Sequence, residues 1–466
     1  MYQSTYLFYD IETTGLDKAF DQVLQFAAIR TDSELNEIAR YQFYVKLSVD
    51  IIPSPYATVT HRISLAKTQS GLTELEAIQK IHDLMNQPAT ISCGYNTLGF
   101  DDEFLRFSFY RHLLPAYTHQ YLNHCGRMDL YPITVMYYLY DNTIIKWPDS
   151  QGKPSMKLAD INAVNQFFAG SAHDAMVDVE VTLALARCLM KKRRIWDYTV
   201  GYFNKNKDRY RLGELVNNQC VLIDGKFGAD LFYQWPVVYL GEHNIYKNQR
   251  IFLRLDVEEM GKGTWVFRKK LGELGLLLPM AGRYVERLNA ERLSLVEQNL
   301  KWLQDNPVEF KKIEHYHRSY IYPVIDDLDV DAALYAGGFL SSDEEQLCQQ
   351  FHRVGSHEKA KMIDLFNNGN LRARAIRLMG RYYPDYLPEK FQAVFDGYLS
   401  QIGCDGKTSI INYKGEKKLT AQEGLNKINE LRRQEDFVLD AEQQKLLSEL
   451  ENYCQIRLHG IVIPPT

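Results

Sequence analysis

The 466-residue chain has no run of about 18 apolar residues, so no membrane-spanning helix is predicted. It has no Cys-x-x-Cys pair. Its seven cysteines are an odd number scattered from Cys93 to Cys454, which argues against a disulfide framework or zinc site and for reduced thiols in a cytoplasmic compartment. The first residues carry no basic region followed by an apolar stretch, so no signal segment is expected. Internal repeats and low-complexity tracts are missing too. Nor is there a basic excess: the net charge is −5, so a polyanionic partner needs positive charge gathered locally. What is present, 45% hydrophobic and 24% charged residues, is a globular composition in a chain too long for one ordinary core. Two or three domains are expected.

The most informative segment is Leu7-Phe8-Tyr9-Asp10-Ile11-Glu12-Thr13-Thr14-Gly15-Leu16. On a strand, residues two apart share a face, so Asp10 and Glu12 stand side by side in apolar surroundings. A buried carboxylate pair is costly unless neutralised, and hard divalent cations such as Mg²⁺ favour oxygen ligands. Thr13, Thr14 and Gly15 are expected to turn the chain. Alone, Asp-x-Glu is far more often a solvated edge strand than a metal site. Two further acidic segments answer it: Gly94-Tyr95-Asn96-Thr97-Leu98-Gly99-Phe100-Asp101-Asp102-Glu103-Phe104, and Ala172-His173-Asp174-Ala175-Met176-Val177-Asp178.

Around these motifs the first 195 residues read as one α/β unit. Tyr6–Tyr9, Val23–Arg30, Tyr41–Val45 and Ala89–Tyr95 are strand candidates. The spacing of Phe104, Leu105, Phe109 and Leu113 predicts a helix with Asp101 near its N-terminus, where an acid also suits the helix dipole. A second helix is predicted over Ala175–Lys191. His173 and Asp178 are five apart, about 140° on a helix, so they cannot share a helical face. His173 therefore belongs to the preceding loop, with Gly170-Ser171-Ala172 as a mobile approach. From 196 to 325 short apolar runs (Cys220–Ile223, Val237–Leu240, Arg250–Leu255) alternate with turn signals, interrupted by a helix near Ala290–Gln304. From 326 onward helices dominate, with Ala421–Arg432 and Asp440–Tyr453 amphipathic; the sequence assigns them packing and no chemistry.

The order and spacing of the three acidic segments resemble the DEDDh (DnaQ-like) family of 3′→5′ exonucleases. That resemblance implies metal ligands at Asp10, Glu12, Asp101 and Asp178 and a general base at His173; Asp102, adjacent to Asp101, is the competing choice. Gln25-Phe26-Ala27-Ala28-Ile29-Arg30-Thr31-Asp32-Ser33, His173-Asp174-Ala175-Met176 and Leu334-Tyr335-Ala336-Gly337-Gly338-Phe339 extend it to the bacterial exodeoxyribonuclease I family. The likeness is dense over the first 200 residues and weakest over 256–300. It implies an RNase-H-like α/β exonuclease domain (1–195), a β-rich SH3-like domain (196–325) and an all-α C-terminal domain (326–466). The activity implied is removal of 5′-mononucleotides from the 3′ end of single-stranded DNA, in repair and recombination, with two Mg²⁺ ions about 4 Å apart and Mn²⁺ able to substitute. Asp10 would bridge the ions, Glu12 and Asp178 would complete one sphere, and Asp101 would serve the other. The implied partners are single-stranded DNA, contacted by Glu12 and Lys157, and the C-terminal tail of single-stranded DNA-binding protein, near Tyr198; a monomer is implied.

The local positive charge lies at 191–211, where Lys191, Lys192, Arg193, Arg194, Lys205, Lys207, Arg209 and Arg211 outnumber Asp197 and Asp208. Trp196, Tyr198, Tyr202, Phe203 and Tyr210 are interleaved, as single-strand binding or an interdomain linker would need. Of Phe107, Phe109 and Tyr110, at least two are expected in the core. The competing functions are RNA 3′-end trimming and a silent single-stranded DNA-binding scaffold. The two extra domains oppose the first, and the complete motif set opposes the second.

Overall fold

The computed structural model describes residues 4–150, 152–170, 173–403, 408–435 and 437–458. Ser171 and Ala172 of the expected mobile loop lie outside the described residues.

The first sheet is built from β1 (Thr5–Thr13), β2 (Val23–Thr31), β3 (Glu37–Tyr44), β4 (Thr90–Gly94) and β5 (Gly126–Asp129), in the order β3-β2-β1-β4-β5. The β1-β2 and β2-β3 pairs are antiparallel and the β1-β4 and β4-β5 pairs parallel, the mixed sheet of an RNase-H-like fold. β3 begins four residues before the expected Tyr41, because its alternating polar residues pair with β2 from Gln25 to Thr31 while exposing its outer face.

β1 is the central strand, and both of its faces are used. Leu7, Tyr9 and Ile11 join one core, which also takes in Phe104 and Phe107 of helix α2 (Asp101–Arg111). Phe8 joins a second core against Val179 and Leu183 of helix α3 (Ala175–Met190). By the two-residue period of a strand, Asp10 and Glu12 share the Phe8 side. The strand stops where Thr13 donates from Oγ1 to the Gly15 carbonyl at 2.7 Å. Thr14 Oγ1 reaches Asp21 at 2.8 Å, and a Cβ on Gly15 would lie 2.4 Å from that same Asp21 carboxylate, so only glycine fits.

The second sheet, β6 (Gln219–Ile223), β7 (Gln234–Glu242), β8 (Gln249–Arg254), β9 (Val266–Lys270) and β10 (Leu276–Pro279), is antiparallel throughout, in the order β9-β8-β7-β6-β10. It is the SH3-like part. β9 and β10 were not among the expected strands: β9, Val-Phe-Arg-Lys-Lys, is a charged edge strand, and β10 is only four residues long. A helix follows at Ala290–Asp305.

The C-terminal part is helical and packs directly on the first sheet. Phe351, Leu378, Leu447 and Cys454 belong to the same core as Leu7, Tyr9 and Ile11. Arg381 is buried between Asp50 and Asp331, with Nη2 at 2.7 and 2.6 Å from their carboxylates, and Tyr398 donates to Asp50 at 2.6 Å. Among the described residues no helix is long and apolar enough to cross a membrane.

Candidate active site

Three elements bring the acidic motifs together. β1 carries Asp10 and Glu12 on a rigid floor. The first turn of α2 carries Asp101, and the first turn of α3 carries Asp178. The start of α3 is tied to the sheet by its N-cap Asp174, which accepts from the Met176 N–H at 3.0 Å and from Gln25 Nε2 of β2 at 3.3 Å. His173 precedes it in the left-handed region, at φ 65°, which lifts its exposed ring out of the helix and over the acids. One ligand atom each from Glu12, His173 and Asp178 lies within 4.8 Å of the others.

The electrostatics of this group are unusual for a folded protein. Burial, then the charges of Asp101, Glu12, Asp178 and Asp174, raise the Asp10 carboxyl well above its ordinary range. Burial, then Asp178, Asp101 and Asp174, push Glu12 up to about 9. Burial leads again at Asp101, raised to about 7, and at Asp178, raised to about 6 against the opposing effect of His173. No lysine or arginine stands among the leading influences on any of the four. Like charges held this close need a countercharge. An all-carboxylate oxygen set with one imidazole fits hard divalent cations, so the residues present suit the implied metal.

The neighbour of Asp101 is different in kind. Asp102 is fully buried, ion-paired to Arg127 at 2.6 Å and Arg106 at 3.2 Å, and hydrogen-bonded to the His119 imidazole at 2.9 Å. Against the upward push of burial, these partners, Arg127 first, hold its carboxyl below the usual range. Asp102 is therefore neutralised by protein, and Asp101 is the acid left facing the cluster. Arg127 also pairs with Glu273 at 2.8 Å, which joins this corner to the second sheet.

Two further expected contacts, Lys157 and Tyr198, sit on exposed surface. Lys157 is exposed at the N-cap of the helix Leu158–Asn165 and is not among the leading influences on the four acids. Tyr198 is 37% exposed; its ring lies 4.2 Å from the Arg211 guanidinium, which also covers Tyr202. The aromatic-basic segment splits: Trp196 and Tyr202 are buried, while Tyr210 is exposed, so the buried pair cannot stack on bases. Phe107 and Phe109 are core residues, as expected.

One residue that sequence reasoning missed is His61, the last residue of helix α1 (Pro55–His61). It is buried and lines a cavity together with Glu12. Burial, then His173, depress its imidazole to about 4. A lone histidine in a Thr-His-Arg context offered no signal for this.

The chain also matches known proteins. Residues 7–186 match a family model described as Exonuclease, and residues 328–457 match Exonuclease I C-terminal domain. Exodeoxyribonuclease I of Escherichia coli (strain K12) is 31% identical over 371 residues, covering 73% of this chain and 78% of that protein. The crystal structure of E. coli exonuclease I in complex with a dA16 oligonucleotide superposes with a TM-score of 0.83 at 25% identity, covering 98% of this chain and 100% of that one. A zinc-ion-bound form of the E. coli enzyme with single-stranded DNA gives the same TM-score and coverage.

Proposed function

Since this chain belongs to the exodeoxyribonuclease I family and is a nuclease, we propose that it removes nucleotides from the 3′ end of single-stranded DNA as 5′-monophosphates, with Mg²⁺ as its working ion. The observation that carries this reading is the grouping of Asp10, Glu12, Asp101 and Asp178 into one half-buried set of acids, each raised by burial and by neighbouring acids, with His173 beside Glu12 and Asp178.

In this reading the four carboxylates hold the divalent ions. Bound there, such ions supply charge stabilisation for the phosphoryl oxygens. Glu12 orients the terminal nucleotide from the strand floor. An imidazole nitrogen of His173 takes the proton of the attacking water. Its exposed position leaves it room to approach a substrate phosphate and withdraw. Asp174 holds the start of α3, and so the spacing between His173 and Asp178. Lys157 adds a cationic contact to the strand upstream, as a point charge without the two-pronged geometry of arginine. The Tyr198–Arg211 face supports docking of the acidic tail of single-stranded DNA-binding protein, since it pairs an exposed ring with a guanidinium.

The test is nucleotide release from oligonucleotides labelled at either end, offered as single-stranded DNA, duplex DNA and RNA, with and without chelator. Chelator-sensitive release from the 3′ end of single-stranded DNA, with RNA and duplex spared, is expected. Release from the 5′ end, or equal attack on RNA, would overturn the proposal.

A further inference from the structure

Two of the segments that carry metal ligands are joined to each other by a lysine. Lys18 lies on the loop between β1 and β2. That loop is fixed to the end of β1 by Asp21, which accepts from Thr14 Oγ1 and from the Asp17 N–H, both at 2.8 Å. From it the Lys18 ammonium crosses to the start of helix α2, where it donates to the Gly99 carbonyl at 2.9 Å and pairs with the Glu103 carboxylate. Gly99 stands two residues before Asp101 and Glu103 two residues after, so one side chain grips both flanks of that ligand. The side chains of Lys18 and Glu103 are only 13% and 22% exposed, which sets this pair apart from a loose surface contact.

The C-terminal part of the chain holds both ends of this link. Tyr335 donates its hydroxyl to the other Glu103 oxygen, and its ring meets that of Phe107, one turn further along α2, edge-on at 5.4 Å. Tyr413 stacks on Phe107 at 4.9 Å. Its neighbour Asn412 donates from Nδ2 to Asp17 Oδ2 at 2.9 Å, next to Lys18 on the loop. The acids of the cluster repel one another, and that repulsion acts to part β1 from the start of α2. An ion pair between the same two elements opposes the parting. Mg²⁺ demands near-ideal octahedral geometry, so ligands already held at the right separation bind it more tightly than ligands that must first be gathered.

We propose that Lys18, Glu103 and Tyr335 form a tether that presets the separation of Asp101 from Asp10 and Glu12, and so sets the affinity of the site for its divalent ions. The inference rests on the exonuclease reading, which assigns ions to these acids. Lys18 and Tyr335 are positioning residues in it: they act through Asp101 and need touch neither ion nor DNA. The C-terminal part thereby conditions a site whose four carboxylates all come from the first α/β unit.

The test is calorimetric titration of the full-length chain with Mn²⁺, paired with nucleotide release from single-stranded DNA across a range of Mg²⁺ concentrations. Lys18→Met keeps most of the side chain's length and removes its charge. It is expected to bind Mn²⁺ about tenfold more weakly and to need about tenfold more Mg²⁺ for half-maximal release. At saturating Mg²⁺ its rate should return to within about threefold of wild type. Tyr335→Phe, which loses one hydroxyl, should shift both readings the same way by about threefold. A role confined to stability would lower the metal-free melting temperature and leave the half-maximal Mg²⁺ concentration in place. A role in gripping DNA would raise KM at every Mg²⁺ concentration. Either result, or wild-type Mn²⁺ affinity in Lys18→Met, would overturn the proposal. Should Lys18→Met fail to fold, unchanged Mn²⁺ affinity in Tyr335→Phe overturns it alone. A wild type that binds no Mn²⁺ or releases no nucleotide sinks the exonuclease reading. A wild type that does both, beside variants with unchanged ion affinity, sinks only the tether.

Discussion

Asp101 and Asp102 are consecutive on one helical turn, yet their surroundings drive their carboxyls in opposite directions. Burial among like charges raises Asp101 to about 7, and Arg127, His119 and Arg106 hold Asp102 below the usual range in spite of its burial. The two should therefore fail differently. Asp101→Asn is expected to lower nucleotide release by at least about 100-fold without lowering the melting temperature, because it removes a repelling charge. Asp102→Ala is expected to cost about 3–5 kcal/mol of stability by stranding buried cations. Release assays and thermal melts on both variants separate these outcomes; matching profiles would void the assignment.

Glu12 gives the metal-free protein an unusual pH dependence. Its folded value of about 9 lies above the ordinary glutamate value of about 4.3, so across that window the folded state holds a proton that the unfolded chain has lost. Stability must then fall as pH rises toward 9. In chelator the melting temperature should be lower at pH 9 than at pH 6, and Mg²⁺ should narrow the gap by supplying the countercharge. A gap indifferent to Mg²⁺ would count against metal binding here.

The Asp50–Arg381–Asp331 network works with the opposite sign. Burial pushes both carboxyls up, but Arg381 leads the charges that hold them below the usual range. Their contribution is complete above the ordinary aspartate value of about 3.9 and is lost as pH falls below it. Arg381→Met should cost about 3–5 kcal/mol at neutral pH, since two buried carboxylates lose the guanidinium they share. The deficit should shrink as pH approaches 3, where protonation relieves them. Denaturant titrations at several pH values would show it.

His173 is a proton carrier in the proposed mechanism, so His173→Ala should lower release by about 10² to 10⁴-fold while leaving single-stranded DNA affinity within about threefold. Parallel binding and release measurements decide this.

Lys157→Ala should raise KM about threefold with little change in kcat, and should lower the salt dependence of binding by about one charge. An unchanged salt slope would return Lys157 to the solvated surface.

Much of the fold could be read from local patterns. β1 and α3 have strong signals: an apolar run punctuated by Asp10 and Glu12, and a helix opened by Asp174. The placement of His173 before the helix followed from a five-residue spacing that no single helical face can accommodate. What stayed hidden depends on distant segments. The choice between Asp101 and Asp102 is made by His119 and Arg127, which no pattern near residue 101 announces. β9 was missed because an edge strand tolerates charge on both faces, as in Phe267-Arg268-Lys269-Lys270. Trp196 and Tyr202 looked available for stacking because sequence shows composition, whereas burial is decided by the elements packed on them.

The core beneath β1 ties distant parts of the chain to one another. Leu7 of the central strand shares one apolar interior with Leu447 and Cys454 of the C-terminal helices. Close-packed interiors transmit strain, so disturbance of those helices is felt by the strand that carries Asp10 and Glu12.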